Sequence, residues 1–303
     1  MTISLRGVVP IVPTPFHDDG SLDLPSLRRV VDYLIRSSVH GLAVLGVAGE
    51  IYALTDAERV AVIETAVDQT AGRLPVLAGS SHASGEAAAT VAAEAEAAGA
   101  EMLLVMPPSF VKPSDAALVD YYGRIADAVG IPLMVQDNPA WTSVTMSVSV
   151  YKQLAEIERI ELAKIEVPYP PAKVREVRHA VGDRFTILGG LAGNWLFEEL
   201  DAGAVGTMPG TIMPDVYAGI WEAWEAGKAD GARAMFDRYH PVIRITSQQS
   251  VGFAMLKHLL WRLGVIESPR VRNPLRPLDP ADVAAFETVL DSVGLLPAPR
   301  GAL

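Results

Sequence analysis

The chain has 303 residues, half of them hydrophobic, enough for one large α/β domain with a substantial core. Its net charge of −11 excludes the basic footprint that non-specific nucleic-acid binding requires. With no cysteine, it has no disulfides, thiolate nucleophiles or cysteine-based metal sites. Taken in chain order, the first predicted strand is Val8–Pro13, followed by a helix that Pro25 opens and that runs to Ile35. A second strand, Gly41–Leu45, precedes the capping box Thr55-Asp-Ala-Glu58, which starts a helix to about Thr70. The strand Leu74–Gly79 leads to Glu86–Ala98, whose Ala and Glu composition favours an outer helix. Strands Glu101–Met106, Ile131–Gln136, Ile160–Val167, Phe185–Gly189 and Ala204–Met208 follow. Gly99, Gly130, Gly182 and Gly203 each stand where a helix should end before the next strand.

Each strand is mostly apolar rather than alternating, as parallel strands covered on both faces are. Eight β/α units in succession predict a (β/α)8 TIM barrel over residues 1–226. Beyond Met213 the strands stop. Helical patterns at 214–226, 230–243, 247–263 and 280–294 predict the last barrel helix and a C-terminal helical extension, 227–303, of the same domain. Arg270, Arg272 and Arg276, set among prolines, read as a solvated loop or a subunit contact. The N-terminus lacks the basic and long apolar segments of a signal peptide, and no apolar run spans a bilayer. The expected location is the cytoplasm, with no nucleic-acid or membrane partner.

In such barrels the chemistry sits at the C-terminal ends of the strands. Of six lysines, only Lys164 falls in a strand-like pattern, Ile160-Glu-Leu-Ala-Lys-Ile-Glu-Val167. A lysine in apolar surroundings gives up its proton more easily, and the neutral amine can form a Schiff base with a ketone. The structural alternative is a strand-end lysine snorkelling to solvent. Side chains alternate along a strand, so a Lys164 pointing into the barrel mouth brings Glu166 with it, either as a proton shuttle or as an ion-pair partner. Gly46-Val-Ala-Gly-Glu50 is a glycine-flanked turn whose amides suit a carboxylate or phosphate. Ser80, Ser81, His82, Gln136, Asp137 and Asn138 supply donors and acceptors at strand ends, equally suited to capping loops. Trp141 suits either a cover over the ligand or the core.

The GxxGE turn after strand 2, the strand-6 lysine and the helical tail resemble, in that order, the dihydrodipicolinate synthase and N-acetylneuraminate lyase family. Gly7…Pro13-Thr-Pro-Phe16…Asp19-Gly20, Leu54-Thr55…Glu58-Arg59 and Gly203-Ala-Val-Gly206 extend the resemblance over nearly the whole chain. It implies that Lys164 forms an imine with pyruvate or another 2-keto acid, without cofactor or metal. It further implies that the backbone of Val47, Ala48 and Gly49 holds the acid's carboxylate, and that the protein is a homotetramer. Phe110, Gly189 and Met208, at the ends of strands 4, 7 and 8, complete the expected substrate site.

The departures from the family pattern are as informative. Val47-Ala48 replaces the usual Thr-Thr, Gln136 stands for the catalytic tyrosine, and Phe110 for a second tyrosine. Ala140-Trp141-Thr142 lies where the synthases carry a carboxylate-binding arginine. Glutamine is no general base, so proton transfer falls to Glu166, His82, Asp137 or water. The catalytic candidates are Lys164, Glu166 and Gln136, and the expected activity is dehydration or aldol cleavage of a 2-keto-3-deoxy sugar acid. A synthase-like condensing enzyme and a non-catalytic 2-keto-acid-binding barrel are the alternatives. A metal-dependent aldolase needs clustered histidines, and only His82 lies at a predicted strand end.

Overall fold

A computed structural model describes residues 5–249 and 251–297. Its strands are β1 (Gly7–Val8), β2 (Leu42–Val44), β3 (Val76–Gly79), β4 (Met102–Val105), β5 (Leu133–Asp137), β6 (Ile160–Ile165), β7 (Thr186–Gly189) and β8 (Gly206–Thr207). All pair in parallel: β2 through β8 each with its sequence neighbour, and β8 with β1. Ile11 bridges both Ala43 and Gly210, closing the circle of a (β/α)8 barrel. Every predicted strand is present.

The helices of the barrel are α1 (Leu24–Arg36), α2 (Asp56–Thr70), α3 (Gly85–Ala97), α4 (Asp115–Ala128), α5 (Pro139–Thr142), α6 (Val148–Leu154), α7 (Pro170–Val181), α8 (Leu196–Asp201) and α9 (Pro214–Glu225). The α2 start carries the expected capping box between Thr55 and Glu58, and Asp23 caps α1 just ahead of Pro25. The C-terminal helices are α10 (Ala229–Thr246), α11 (Val251–Arg262) and α12 (Pro280–Ser292). None of the described helices is long and apolar enough to cross a membrane.

Two cores follow from the strand alternation. One lies between strands and helices. The other fills the barrel with Val9, Leu77, Met102, Leu104, Met134, Leu162 and Leu188. This plug closes the barrel axis, so chemistry is confined to its upper rim.

The Arg272 guanidinium is not a solvated loop group. It ion-pairs with Glu58 at 2.6 Å and donates to the Gly20 and Ala53 carbonyls, while its own amide donates to Glu50 at 2.8 Å. Hydrogen bonds in several directions tie the C-terminal segment onto the loops at the barrel mouth. Arg276, by contrast, is exposed and pairs locally with Asp282.

Candidate active site

Alternation along β6 turns Leu162, Lys164 and Glu166 to the barrel axis and Ala163 and Ile165 to the outer core. Lys164 is 3% exposed and its Nζ lies 3.2 Å from Glu166 Oε2. The lysine therefore sits in an ion pair, not in the purely apolar setting its sequence neighbours suggest. On the adjacent strand Gln136 stands in register with Lys164, and the same alternation brings Asn138 inward.

Glu166 is the hub of this cluster. Its Oε2 accepts from Gln136 Nε2 at 2.6 Å and Asn138 Nδ2 at 2.9 Å, and its Oε1 accepts from the Leu191 amide at 2.9 Å. Burial pushes this carboxyl up, but the Lys164 ammonium, the Leu191 amide and the two side-chain amides outweigh it and hold the carboxyl below its ordinary value. Glu166 is thus a carboxylate at neutral pH, fixed in direction by donors on both oxygens. Gln136 acts on it as a donor through its side-chain amide. Asn138 Oδ1 is buried with no partner and lines the same cavity, so it remains able to accept from a ligand hydroxyl.

Glycine at 190 is required by this arrangement, because a Cβ there would overlap the Glu166 side chain. Gly190→Ala should displace the carboxylate and cost roughly 100-fold in turnover, the penalty expected for a misplaced catalytic group. A pyruvate adduct still trapped by borohydride would show that Lys164 survives the change.

The turn after β2 is built from constraints on its glycines. A Cβ on Gly46 would come within 2.7 Å of Ile11, and one on Gly49 within 2.9 Å of the Val12 carbonyl. Val47–Gly49 form a single 3₁₀ turn and Glu50 takes the left-handed conformation at φ 57°. Thr14 Oγ1 braces the turn by donating to the Gly49 carbonyl at 2.6 Å. The Gly49 amide is spent on the Gly46 carbonyl at 2.9 Å, whereas no described hydrogen bond uses the amides of Val47 and Ala48. Of the three backbone donors expected there, two are therefore available.

Lys257, fully buried in α11, forms an ion pair with Glu50 and donates to the Arg270 carbonyl at 2.9 Å. Its Nζ and the Arg272 guanidinium each lie 4.2 Å from the centre of the Phe16 ring. Burial pulls the Lys257 amine down to about 8, with Arg272 adding to the fall and Glu50 opposing it. Breaking the pair leaves an uncompensated buried charge, so Lys257→Met should destabilise by about 3–5 kcal/mol, with Glu50→Gln in the same background recovering part. Urea denaturation of the single and double variants measures both.

The cavity over Lys164 has a volume of ≈ 170 Å³. Val47, Ala48, Gln136, Lys164, Glu166 and Met208 line it, joined by Asn138, Trp141 and Leu191. Thr246–Gln249, Gly252 and Phe253 close it from the C-terminal side. Trp141 is stacked between Tyr52 and Phe253, with ring centres 6.4 and 5.8 Å away. It is a fixed wall between this cavity and a second concavity on its other side.

Several expected residues stand elsewhere. Phe110 is 94% exposed and lines the second concavity, because the loop after β4 carries it outward. Gly189 faces away from the axis, and the position of its missing side chain is taken by Glu199 of α8. Asp137 points outward to Tyr151, at 3.2 Å, and burial raises its carboxyl to about 6. His82 belongs to the second concavity, its backbone bonded to the Tyr121 hydroxyl. Of the proton-transfer candidates in the chain, Glu166 shares the cavity with Lys164. Among the described residues no group of three or more His, Asp or Glu is placed to hold a metal ion.

Residues 4–292 match the profile of the dihydrodipicolinate synthetase family. The chain belongs to this family. It is 36% identical over 303 residues to the L-2-keto-3-deoxyarabonate dehydratase of Azospirillum brasilense, with 96% of each chain covered. The crystal structure of YagE, a prophage protein of the dihydrodipicolinic acid synthase family from Escherichia coli K12, determined in complex with pyruvate, superposes with a TM-score of 0.91. There the identity is 28%, with 97% of this chain and all of the other covered. Dihydrodipicolinate synthase from Rhodopseudomonas palustris superposes with a TM-score of 0.88 at 30% identity, covering 95% and 97%. As a member of this family of lyases, the chain is an enzyme of the same broad class.

Proposed function

We propose that the protein is a cofactor-independent lyase that forms a Schiff base through Lys164 and dehydrates a 2-keto-3-deoxy sugar acid. The observation that carries this reading is the Lys164–Glu166 pair at the floor of the cavity, with the carboxylate fixed by Gln136, Asn138 and Leu191. The substrate carboxylate binds the free amides of Val47 and Ala48 against Met208. Glu166 takes a proton from the Lys164 ammonium and the neutral amine attacks the C2 ketone, with water leaving as the iminium forms. The iminium acidifies C3, and Glu166, again a carboxylate, removes a C3 proton to give the enamine. Electrons returning from the enamine expel the C4 hydroxyl, which leaves as water with the proton Glu166 carries. The lysine is then released by hydrolysis of the unsaturated imine.

The cavity walls support a substrate without a second carboxylate. Among the described residues no arginine lines the cavity, and Trp141 is locked into the wall near where the synthases carry one. This weighs against dihydrodipicolinate synthesis, and the named activity of the Azospirillum relative supports dehydration. Retro-aldol cleavage to pyruvate is the second reading, because Glu166 serves equally to deprotonate a C4 hydroxyl. Incubation with a panel of 2-keto-3-deoxy sugar acids, with pyruvate and water loss measured separately, distinguishes the two. Turnover of none of them would favour a non-catalytic 2-keto-acid-binding barrel.

We further propose that the protein assembles as a homotetramer. The exposed apolar tip Phe110-Val111 is surface that a neighbouring copy would cover. Sedimentation at micromolar concentration tests this.

A further inference from the structure

Glu199 of α8 is fully buried and neither of its carboxyl oxygens has a hydrogen-bond partner. It occupies the space left by Gly189, while Glu166 occupies the space left by Gly190, so two carboxyls flank one glycine pair at the end of β7. Thr207, the register partner of Gly189, shares that outer face, and its buried hydroxyl is also unpartnered. A buried carboxylate without a cation or donors carries a prohibitive desolvation cost, whereas a neutral carboxylic acid does not. We propose that Glu199 is a positioning residue for the reaction: held behind β7 as a neutral acid, it leaves Glu166 as the charged partner of Lys164, and its ionisation stops proton transfer. This inference rests on the Schiff-base reading of Lys164 and Glu166.

The surrounding charges support the assignment. Burial, reinforced by the negative charge of Glu166 and of Glu198 on its own helix, raises the Glu199 carboxyl to about 8; Lys164 opposes the shift, as does the Gly190 amide, which lies near without completing a hydrogen bond. From α7, Arg178 is committed to the Gly203 carbonyl and Asp183, and from α9 the Tyr217 hydroxyl donates to the Ala192 carbonyl. Neither supplies a counter-charge. When Glu199 loses its proton, a second negative charge appears beside Glu166 and Lys164. That charge makes a protonated Glu166 harder to discharge.

Exchange of pyruvate methyl hydrogens for deuterium reads C3 proton removal without any need for the natural substrate. In the wild type this exchange should fall as pH rises through about 8, following the Glu199 carboxyl. In Glu199→Gln, which stays neutral, the fall should move up by roughly one pH unit or more, while the KM for pyruvate follows the wild-type profile. Infrared spectra with ¹³C-glutamate labelling should show a protonated carboxyl band at pH 7 in the wild type that titrates away above pH 8 and is missing from Glu199→Gln. If that variant does not fold, the wild-type band and the Glu199→Asp exchange profile carry the test. No protonated band at pH 7, or coincident alkaline limbs in wild type and variant, overturns the proposal. Borohydride trapping of pyruvate on the same samples separates the two readings. An adduct at Lys164 with an unmoved alkaline limb sinks the Glu199 proposal alone, whereas no adduct sinks the Schiff-base reading and the proposal with it.

Discussion

Lys164→Ala should abolish the covalent pyruvate adduct and lower turnover by on the order of 10³-fold or more, because no electron sink replaces the imine. The adduct is read directly as a mass increment after borohydride reduction and located by peptide mapping. The structure makes the expectation specific to this lysine. Lys257, the other fully buried lysine, is engaged with Glu50 and the Arg270 carbonyl and does not line the cavity. Lys164→Arg should fail equally, since a guanidinium stays protonated and lacks a nucleophilic amine. An adduct that persisted in Lys164→Ala would transfer the chemistry to another amine and refute the assignment.

Glu166→Gln should separate the two halves of the reaction. Imine formation with pyruvate should survive at a reduced rate, whereas methyl hydrogen exchange and dehydration should fall by about 10²–10⁴-fold, the range for loss of a general base. The variant keeps the shape of the side chain but replaces an acceptor of four contacts with a group that must donate, so Gln136, Asn138 and Lys164 lose their shared anion. The pH dependence has a defined sign. Glu166 is held below its ordinary value by Lys164 and three hydrogen-bond donors, so activity dependent on its carboxylate should persist well into mildly acid conditions. The profile should lose activity only as pH falls through that lowered value. An acid limb already steep near neutrality would contradict the assignment.

The barrel was legible because parallel strands and their capping signals are local. Thr55 and Glu58 form their box from residues three apart, and the end of β6 alternates between axis and outer core over residues 162–166. Lys164 and Glu166 were legible for the same reason, since a two-residue spacing on a strand fixes a shared face. Phe110 and Gly189 stand off the cavity because position at a strand end does not settle direction. The loop after β4 turns Phe110 outward, and Gly189 lies one residue out of phase with the axis. The contribution of the C-terminal helices was hidden by distance. Nothing near Lys257 in the chain points to Glu50, 207 positions earlier. Its one local trace was a lysine within the apolar run Phe253-Ala-Met-Leu-Lys-His-Leu-Leu260. Glu199 left no trace, because its meaning depends on a glycine on the neighbouring strand.

The clamp of Glu50 by Lys257 and Arg272 has an evolutionary consequence. The turn that presents Val47 and Ala48 is held in shape by residues more than 200 positions downstream. Recombination that exchanged the barrel of one family member for that of another, while keeping the original tail, would join halves whose charges need not match. Viable shuffled offspring should therefore inherit Glu50, Lys257 and Arg272 as one linked set.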